Sequence, residues 1–175
     1  MMLKDNVYRV MEIFFNAPES KFHIREIARL TGLSAPGVIK IIKKLKNEGL
    51  LVSRKEKAVE NVWASREEGF LVLKRCHNLR DLNGSGLIRY LKDKYEEPEA
   101  IVLFGSYSRG EDESTSDIDV AVVTGKRLDL DLKRFERILK RKVNVHEVLL
   151  EEAEDDFLNT LANGIVIGGY LKVVG

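Results

Sequence analysis

The chain has 175 residues, of which 44% are hydrophobic and 33% are charged, a composition typical of a soluble globular protein. No apolar run approaches the ~18 residues that cross a bilayer, and the charged start MMLKDNVYR is unlike a signal peptide, so we expect a cytoplasmic protein without a membrane partner. The single Cys76 excludes an internal disulfide and, without a Cys/His cluster, a zinc site; we expect it on a helix, partly buried.

The net charge of +1 conceals a division of the chain into two parts of opposite charge. Residues 1–65 carry 12 Lys and Arg against 7 Asp and Glu, whereas residues 66–175 carry 17 against 21. The first part therefore has a formal charge of +5 and the second a formal charge of −4. This asymmetry indicates two modules with different partners.

Three helices and a hairpin are predicted in the basic part of the chain. Apolar residues at helical spacing predict helices over residues 5–16, 23–32 and 34–49. Gly32 is placed to end the second helix, Ser34 to cap the third, and Pro36 lies in a first turn, where its missing N–H costs nothing. Alternation over residues 50–65 predicts two short strands around a basic turn at 55–57.

Helices followed by a basic hairpin, in this order, are the arrangement of a winged helix-turn-helix. Residues 23–34 also resemble the helix-turn-helix of bacterial and archaeal transcription regulators of the MarR and ArsR groups. In such a module the third helix enters the major groove and basic side chains meet phosphates. The residues expected to contact double-stranded DNA are Ser34, Lys40, Lys43, Lys44, Arg54, Lys55 and Lys57. Winged helices also bind proteins, but the basic hairpin and the charge of +5 favour DNA.

The remainder of the chain predicts a helical linker and then a lobe of strands and helices. Residues 66–95 read as mostly helical, with a break near 83–86. Beyond them we expect strands over 100–104, 118–123, 142–150 and 165–174, and helices over 131–141 and 151–163. In the first of these helices Leu132, Phe135, Ile138 and Leu139 should face inward, and Gly168-Gly169 should mark a bulge or tight packing in the last strand. The fold class is α+β: a winged domain (1–65), a linker (66–95) and a lobe with a mixed sheet of about four strands flanked by helices (96–175).

The segment IVLFGSYSRGEDESTSDIDVAVV has the composition of a site for phosphates and a metal ion. Gly105-Ser106 directly follows an apolar strand, where backbone N–H groups and a hydroxyl can hold phosphate oxygens and the missing Cβ lets a triphosphate approach. Asp117 and Asp119 lie two apart at the start of the next strand, so their carboxylates share a face. Paired carboxylates suit Mg²⁺ when its other ligands are phosphate oxygens and water.

This pattern of Gly-Ser, ten residues and Asp-x-Asp resembles the signature of the polymerase-β-like nucleotidyltransferases, and most closely the minimal nucleotidyltransferases. The resemblance covers residues 96–175 and is specific, because an apolar strand, the glycine turn and the spacing all agree. It implies transfer of a nucleoside monophosphate from a triphosphate, ATP foremost, with Mg²⁺ or Mn²⁺ held by Asp117 and Asp119. It further implies nucleotide contacts from Gly105, Ser106, Arg109 and Ser116.

The sequence departs from the family where active members carry a third carboxylate, commonly the base for the attacking hydroxyl. On the strand KVNVHEV that place is taken by Asn144, whose amide cannot deprotonate a hydroxyl. By alternation His146 shares the face of Asn144, and Glu147 points the other way and could substitute only through a bulge. His146 is therefore the candidate base, beside Asp117 and Asp119 as catalytic residues; it could equally be a strand residue satisfied by a neighbouring hydrogen bond.

Three readings of the function remain open at this point. The protein is an active nucleotidyltransferase recruited by its winged helix, or a transcription regulator whose lobe senses nucleotide without turnover. In the third reading it is an antitoxin-like protein that binds its own operator, because the resemblance implies a helical HEPN-type toxin as partner. A homodimer is compatible with all three, and Asn144 weakens the first relative to the second.

Overall fold

The computed structural model of the protein describes residues 5–56 and 59–172, and it divides after Lys74 into two compact units. Lys57, expected on the wing, lies outside the described residues. Each unit has its own hydrophobic core. Within the described residues, no helix is both long enough and apolar enough to cross a membrane.

Over residues 5–56 and 59–64 the first unit contains three helices and a small antiparallel sheet with the strand order β1-β3-β2. Its elements in chain order are α1 (Asn6–Asn16), β1 (Phe22–His23), α2 (Ile24–Thr31), α3 (Ala35–Asn47), β2 (Leu51–Glu56) and β3 (Val59–Ala64). The predicted winged-helix arrangement is confirmed. Phe22 and His23 differ from the expectation: they pair with Val62 and Asn61 of β3, so α2 begins only at Ile24.

The end of α2 and the start of α3 follow the capping rules expected from the sequence. The Ser34 hydroxyl accepts a hydrogen bond from the Gly37 N–H at 3.3 Å, and Pro36 lies in the first turn. Gly32 ends α2 with φ 68°. Val38, Ile42 and Leu45 of α3 are buried in the core with residues of α1 and the sheet, which leaves the lysine-bearing face of α3 in solvent.

The segment expected as a linker consists of the helices α4 (Glu68–Ser85) and α5 (Leu87–Tyr95). The boundary between the two compact units falls within α4. Phe70 is buried in the core of the first unit, whereas Leu82 and Leu91 are buried in the core of the second. α4 therefore contributes to both cores, and α5 to the core of the second unit.

The second unit is a four-stranded mixed sheet with helices packed on it, as predicted, and has the strand order β6-β5-β4-β7. After α4 and α5 its elements are β4 (Ala100–Phe104), α6 (Gly105–Arg109), β5 (Ile118–Val123), α7 (Lys133–Leu139), β6 (Val143–Val148), a 3₁₀ turn (Leu150–Glu152), α8 (Asp155–Ala162) and β7 (Ile165–Gly169). β4 pairs antiparallel with β5 and β7, and β5 pairs parallel with β6.

Alternate residues of the central strands enter two separate clusters. Ile118, Val120 and Val122 of β5 pack with side chains of α4, α5 and α7. Ala121 and Val123 pack instead in the cluster that contains Leu161 of α8. Because side chains alternate along a strand, Asp119 lies on the same face as Ala121, which is the face that α8 covers.

A register shift and tight packing both occur at or next to Gly168-Gly169, where a bulge or tight packing was expected. The pairing of β4 with β7 shifts register between Ile101 and Val102. Gly169 has φ 67°, and a Cβ atom there would lie 2.2 Å from the Glu99 carbonyl oxygen, so no larger residue fits. In this edge strand the glycine at position 169 is therefore required by the close approach of the Glu99 backbone.

Two expectations about burial are wrong. Ile138 is 52% exposed, because Leu132, Phe135 and Leu139 lie within about 60° of one another around the short helix α7, whereas Ile138 falls about 60° outside that stripe. Cys76 is exposed on α4 rather than partly buried. The predicted helix over 131–141 is shortened to the two turns of α7.

Candidate functional site

Three polar side chains converge where β5 and β6 begin side by side. Asp117 precedes β5, Asp119 is its second residue, and Asn144 stands opposite Asp119 in the parallel register. The Asn144 Nδ2 group donates to Asp117 Oδ2 at 3.1 Å and to Asp119 Oδ1 at 3.0 Å. The amide bridges the two carboxylates, and all three side chains are half-buried.

Gly105 lies against this carboxylate pair because Phe104, the last residue of β4, is paired with Asp119. Its φ of 75° is in the left-handed region, and a Cβ atom at this position would lie 2.9 Å from Asp119 Oδ2. Gly105-Ser106 opens the five-residue helix α6 rather than the simple turn expected from the sequence. The glycine is required both by the backbone and by the proximity of the carboxylate.

His146 lies on the same face as Asp119 and Asn144, as alternation along β6 predicted. Its Nε2 atom is 3.8 Å from Asp119 Oδ1, too far for a hydrogen bond but close enough for attraction when the imidazole is protonated. The ring centroid lies 5.4 Å from that of Phe104 and 6.2 Å from that of Phe157. The side chain is 46% exposed.

Glu147 does not belong to this cluster. The register of β5 with β6 is regular over all six pairs, so no bulge turns Glu147 towards the two aspartates. Its Oε1 atom instead accepts hydrogen bonds from the Tyr95 hydroxyl and from the Leu128 N–H, both at 2.7 Å. The pKa of Tyr95 is raised, mainly by burial of the hydroxyl and secondly by its hydrogen bond to the Glu147 carboxylate. The alternative of a Glu147 base through a bulge is therefore wrong.

The remaining residues predicted to contact nucleotide differ in their exposure and in their hydrogen-bond partners. Arg109 is exposed and paired with Glu111, with Nε 2.6 Å from Oε2. Ser106 is partly exposed in the first turn of α6. The Ser116 hydroxyl accepts a hydrogen bond from the Glu113 N–H at 2.9 Å, which gives it a role in the loop before Asp117.

A cavity of about 300 Å³ adjoins Gly105, and part of its lining was missed by sequence reasoning. Its walls are formed by α6 with the end of β4 and by one face of α8: Phe104, Gly105, Ser108, Arg109, Asn159, Thr160 and Asn163. The three α8 residues gave no sequence signal, because only the packing of α8 on the sheet brings them beside Gly105.

The donor set fits a hard divalent cation only in part. Two carboxylates on one face are suitable oxygen ligands for Mg²⁺ or Mn²⁺. Among residues 5–56 and 59–172, no three His, Cys, Asp or Glu side chains gather into a metal-binding group. The third position is occupied by the Asn144 amide, so a cation held by Asp117 and Asp119 depends on phosphate oxygens and water for its other ligands.

The residues predicted to contact DNA lie on the surface of the first unit. Lys40, Lys43 and Lys44 are exposed on one face of α3, and Arg54 and Lys55 are exposed on β2. Ser34 is exposed at the start of α3. Sequence reasoning missed Ile39, which is 53% exposed beside Lys40. An exposed apolar residue among lysines suits contact with a thymine methyl group in the major groove.

Comparisons with known proteins agree with this division. The family model described as polymerase beta, nucleotidyltransferase, matches residues 86–169, and that described as winged helix-turn-helix DNA-binding matches residues 23–52. Residues 86–169 form a polymerase β-type nucleotidyltransferase domain. This nucleotidyltransferase domain contains the Asp117, Asp119 and Asn144 cluster, and a winged helix-turn-helix of the DNA-binding type precedes it.

One curated relative is the protein adenylyltransferase MntA of Shewanella oneidensis. It is 40% identical over 58 residues, a segment that covers 33% of this chain and 41% of the relative. The alignment thus spans less than half of the relative's length.

Proposed function

We propose that the nucleotidyltransferase domain binds a nucleoside triphosphate with a divalent cation and transfers the nucleoside monophosphate to an acceptor hydroxyl, with cleavage of the α,β-phosphate bond and release of pyrophosphate. The observation that carries the proposal is the convergence of Asp117 and Asp119 within 3.1 Å of the Asn144 amide, directly beside Gly105. ATP is the proposed donor and a protein the proposed acceptor, because the relative in Shewanella oneidensis is named a protein adenylyltransferase.

Asp117 and Asp119 would hold Mg²⁺ or Mn²⁺, which neutralises the charge that develops on the transferred phosphoryl group. Rotation of the Asn144 amide about its Cβ–Cγ bond would turn its oxygen, rather than its NH₂ group, towards a cation. Gly105 leaves room for phosphates beside Asp119, and the first N–H groups of α6 and the Ser106 hydroxyl are available to them. Arg109 adds positive charge at the edge of the adjoining cavity.

His146 is the proposed base for the acceptor hydroxyl. A base must lie near the reacting atoms and be able to lose its proton to solvent. His146 is half-exposed and 3.8 Å from Asp119, on the face where the two aspartates and Asn144 meet. No carboxylate of β6 can take this role, because Glu147 is on the opposite face.

Asn144 also favours a second candidate function. An amide in place of a third carboxylate weakens catalysis more than nucleotide binding, so the domain could act as a nucleotide sensor with little turnover. In that case the winged helix would be the output, and the protein a transcription regulator or an antitoxin that binds its operator together with a HEPN-type partner. The exposed basic face of α3 supports a DNA-binding output in either function.

Labelling with ATP that carries ³²P at the α-phosphate tests the choice between these functions. The protein is incubated with Mg²⁺, the labelled ATP and a lysate of the source cells, and labelled proteins are identified. A labelled acceptor that disappears with Asp117→Asn/Asp119→Asn supports transfer. A wild-type protein that binds nucleotide but gives no labelled product supports the sensor function. A wild-type protein that neither binds nucleotide nor gives a labelled product contradicts the proposal.

A further inference from the structure

The loop between α6 and β5 carries Asp117 but has no regular secondary structure over residues 111–117. Its sequence, EDESTSD, suggests a solvated acidic turn. Asp112, however, is completely buried. A buried carboxylate needs a partner, and the partners of Asp112 come from two distant parts of the chain.

The first partner is Arg141, which precedes β6. Arg141 Nη2 lies 2.8 Å from Asp112 Oδ2, and the arginine side chain is only 7% exposed. The same guanidinium lies over the Tyr107 ring, 5.6 Å from its centroid. Its Nη1 group donates to the Glu113 carbonyl and, at 3.1 Å, to the Ser116 carbonyl. One guanidinium therefore ties both ends of the segment that leads into Asp117.

The second partner is Asn78 of α4, which is also buried. Its Nδ2 group donates to Asp112 Oδ1 at 2.7 Å and to the Tyr107 carbonyl at 2.9 Å. Tyr107 belongs to α6, the helix that begins with Gly105-Ser106. Asn78 thus links the loop that carries Asp117 to the helix that carries the proposed phosphate contacts.

We propose that Asp112, Arg141 and Asn78 are positioning residues that set the place of Asp117 relative to α6 and to Asp119. This inference rests on the proposed function, since it concerns the same cation and nucleotide site. The planar arginine fork binds the carboxylate through Nη2 and the two carbonyls through Nη1, whereas a lysine presents its donors from a single nitrogen, so lysine at position 141 keeps the charge but loses part of the connection. Misplacement of a ligand group by about 1 Å can cost ~100-fold in activity.

The test measures binding of Mn²⁺ with α,β-methylene-ATP by electron paramagnetic resonance, at a temperature well below thermal unfolding. We expect Arg141→Lys and Asp112→Asn each to weaken this binding at least ~10-fold. Arg137→Lys, on the exposed face of α7, is the matched control and should bind as wild type does. Binding of DNA by the same preparations monitors the first unit.

Each outcome decides between positioning and general stability. Variants that melt at a lower temperature but bind Mn²⁺ and the analogue with wild-type affinity overturn the inference and leave the proposed function intact. A wild-type protein that does not bind the pair contradicts the proposed function itself. If neither variant folds, hydrogen exchange in the wild type decides: the Ser116 N–H, bonded to the Glu113 carbonyl at 3.1 Å, should exchange as slowly as the amides of β5, and rapid exchange overturns the inference.

Discussion

At the scale of single residues, the site depends on the short distances between the Asn144 amide and the two aspartate carboxylates. Two carboxylates facing the same point repel each other unless a donor or a cation lies between them. Here the Asn144 NH₂ group supplies two hydrogen bonds, at 3.0 and 3.1 Å, and so stabilises the aspartates in the absence of metal. The same amide leaves the proposed reaction without a third carboxylate.

Asn144→Asp should therefore have opposite effects on stability and on catalysis. Without a cation the change removes both hydrogen bonds and adds a third negative charge, so the melting temperature should fall. With Mg²⁺ and ATP the new carboxylate can act as ligand and base: the transfer rate should rise by ~10²–10⁴-fold if the wild type has no working base, and only slightly if His146 already serves as the base. Single-turnover transfer and thermal melting measure the two effects.

His146→Ala is the control for that comparison. If the imidazole is the working base in the wild type, His146→Ala should strongly reduce transfer in the wild-type background. In the Asn144→Asp background the same substitution should reduce transfer much less. A wild type whose rate changes with neither substitution would show that the base belongs to the acceptor or to another residue.

Gly105→Ala should disrupt the carboxylate pair while the sheet stays intact. The added Cβ would lie 2.9 Å from Asp119 Oδ2, and alanine is strained at φ 75°, so Asp119 or the start of α6 must move. We expect Mn²⁺-nucleotide binding to weaken at least ~10-fold. Gly84→Ala, at a glycine with open space around it on α4, is the matched control. Equal binding by the two variants would show that the close approach at Gly105 has no role in the site.

At the scale of elements, α3 and α8 present the two surfaces that the proposed functions need. The apolar face of α3 is buried in the first core, which directs Lys40, Lys43 and Lys44 outward together. The buried Leu161 holds α8 against β4, so Asn159 and Asn163 line the cavity beside Gly105. In both helices a buried stripe determines which polar residues are available.

Replacement of Lys40, Lys43 and Lys44 by Ala should weaken binding to all DNA sequences alike. Each lost phosphate contact should reduce the slope of log affinity against log salt by ~0.9. Fluorescence anisotropy with duplex DNA at several salt concentrations measures the slope. Replacement of Lys133, Lys140 and Lys142, exposed lysines of the second unit, is the charge-matched control. An unchanged slope in the α3 variant would show that these three lysines do not contact DNA phosphates. If residues 1–65 alone do not bind DNA at low salt, the winged helix is a protein-binding module instead.

At the scale of the whole molecule, the chain combines two units with separate cores and opposite formal charges. A chain built in this way need not unfold in a single two-state transition. A ligand that binds one unit should stabilise that unit, because it binds the folded and not the unfolded form of that unit. The two proposed ligands, DNA and nucleotide, therefore provide independent probes of the two units.

Mg²⁺ with ATP should raise the melting temperature of the nucleotidyltransferase domain. At 100 times the dissociation constant the bound state gains about 2.7 kcal/mol. Asp117→Asn/Asp119→Asn should abolish this shift, whereas Glu151→Gln/Glu152→Gln, an equal change of charge at exposed positions, should retain it. Differential scanning calorimetry measures the shift, and its persistence in the aspartate variant would place the nucleotide elsewhere.

The amino-acid sequence by itself determined the features that depend on local spacing. Helical periodicity with Gly32 and Ser34 predicted the winged helix. The apolar strand, Gly105 and the Asp117–Asp119 spacing predicted a phosphate and metal site, and their resemblance to a known signature implied the nucleotidyltransferase domain. Alternation along β6 also predicted that Asn144 and His146 share one face of the strand and that Glu147 lies on the other.

Only the tertiary structure decided what depends on contacts between distant segments. Burial of Asp112 by Arg141 and Asn78, the α8 wall of the cavity and the exposure of Ile138 follow from how helices pack on the sheet. A polar residue in a loop has the same local pattern whether it is solvated or buried, so periodicity carries no information about it. Its partner, 29 residues along the chain in the case of Arg141, is defined only when the sheet and helices have assembled.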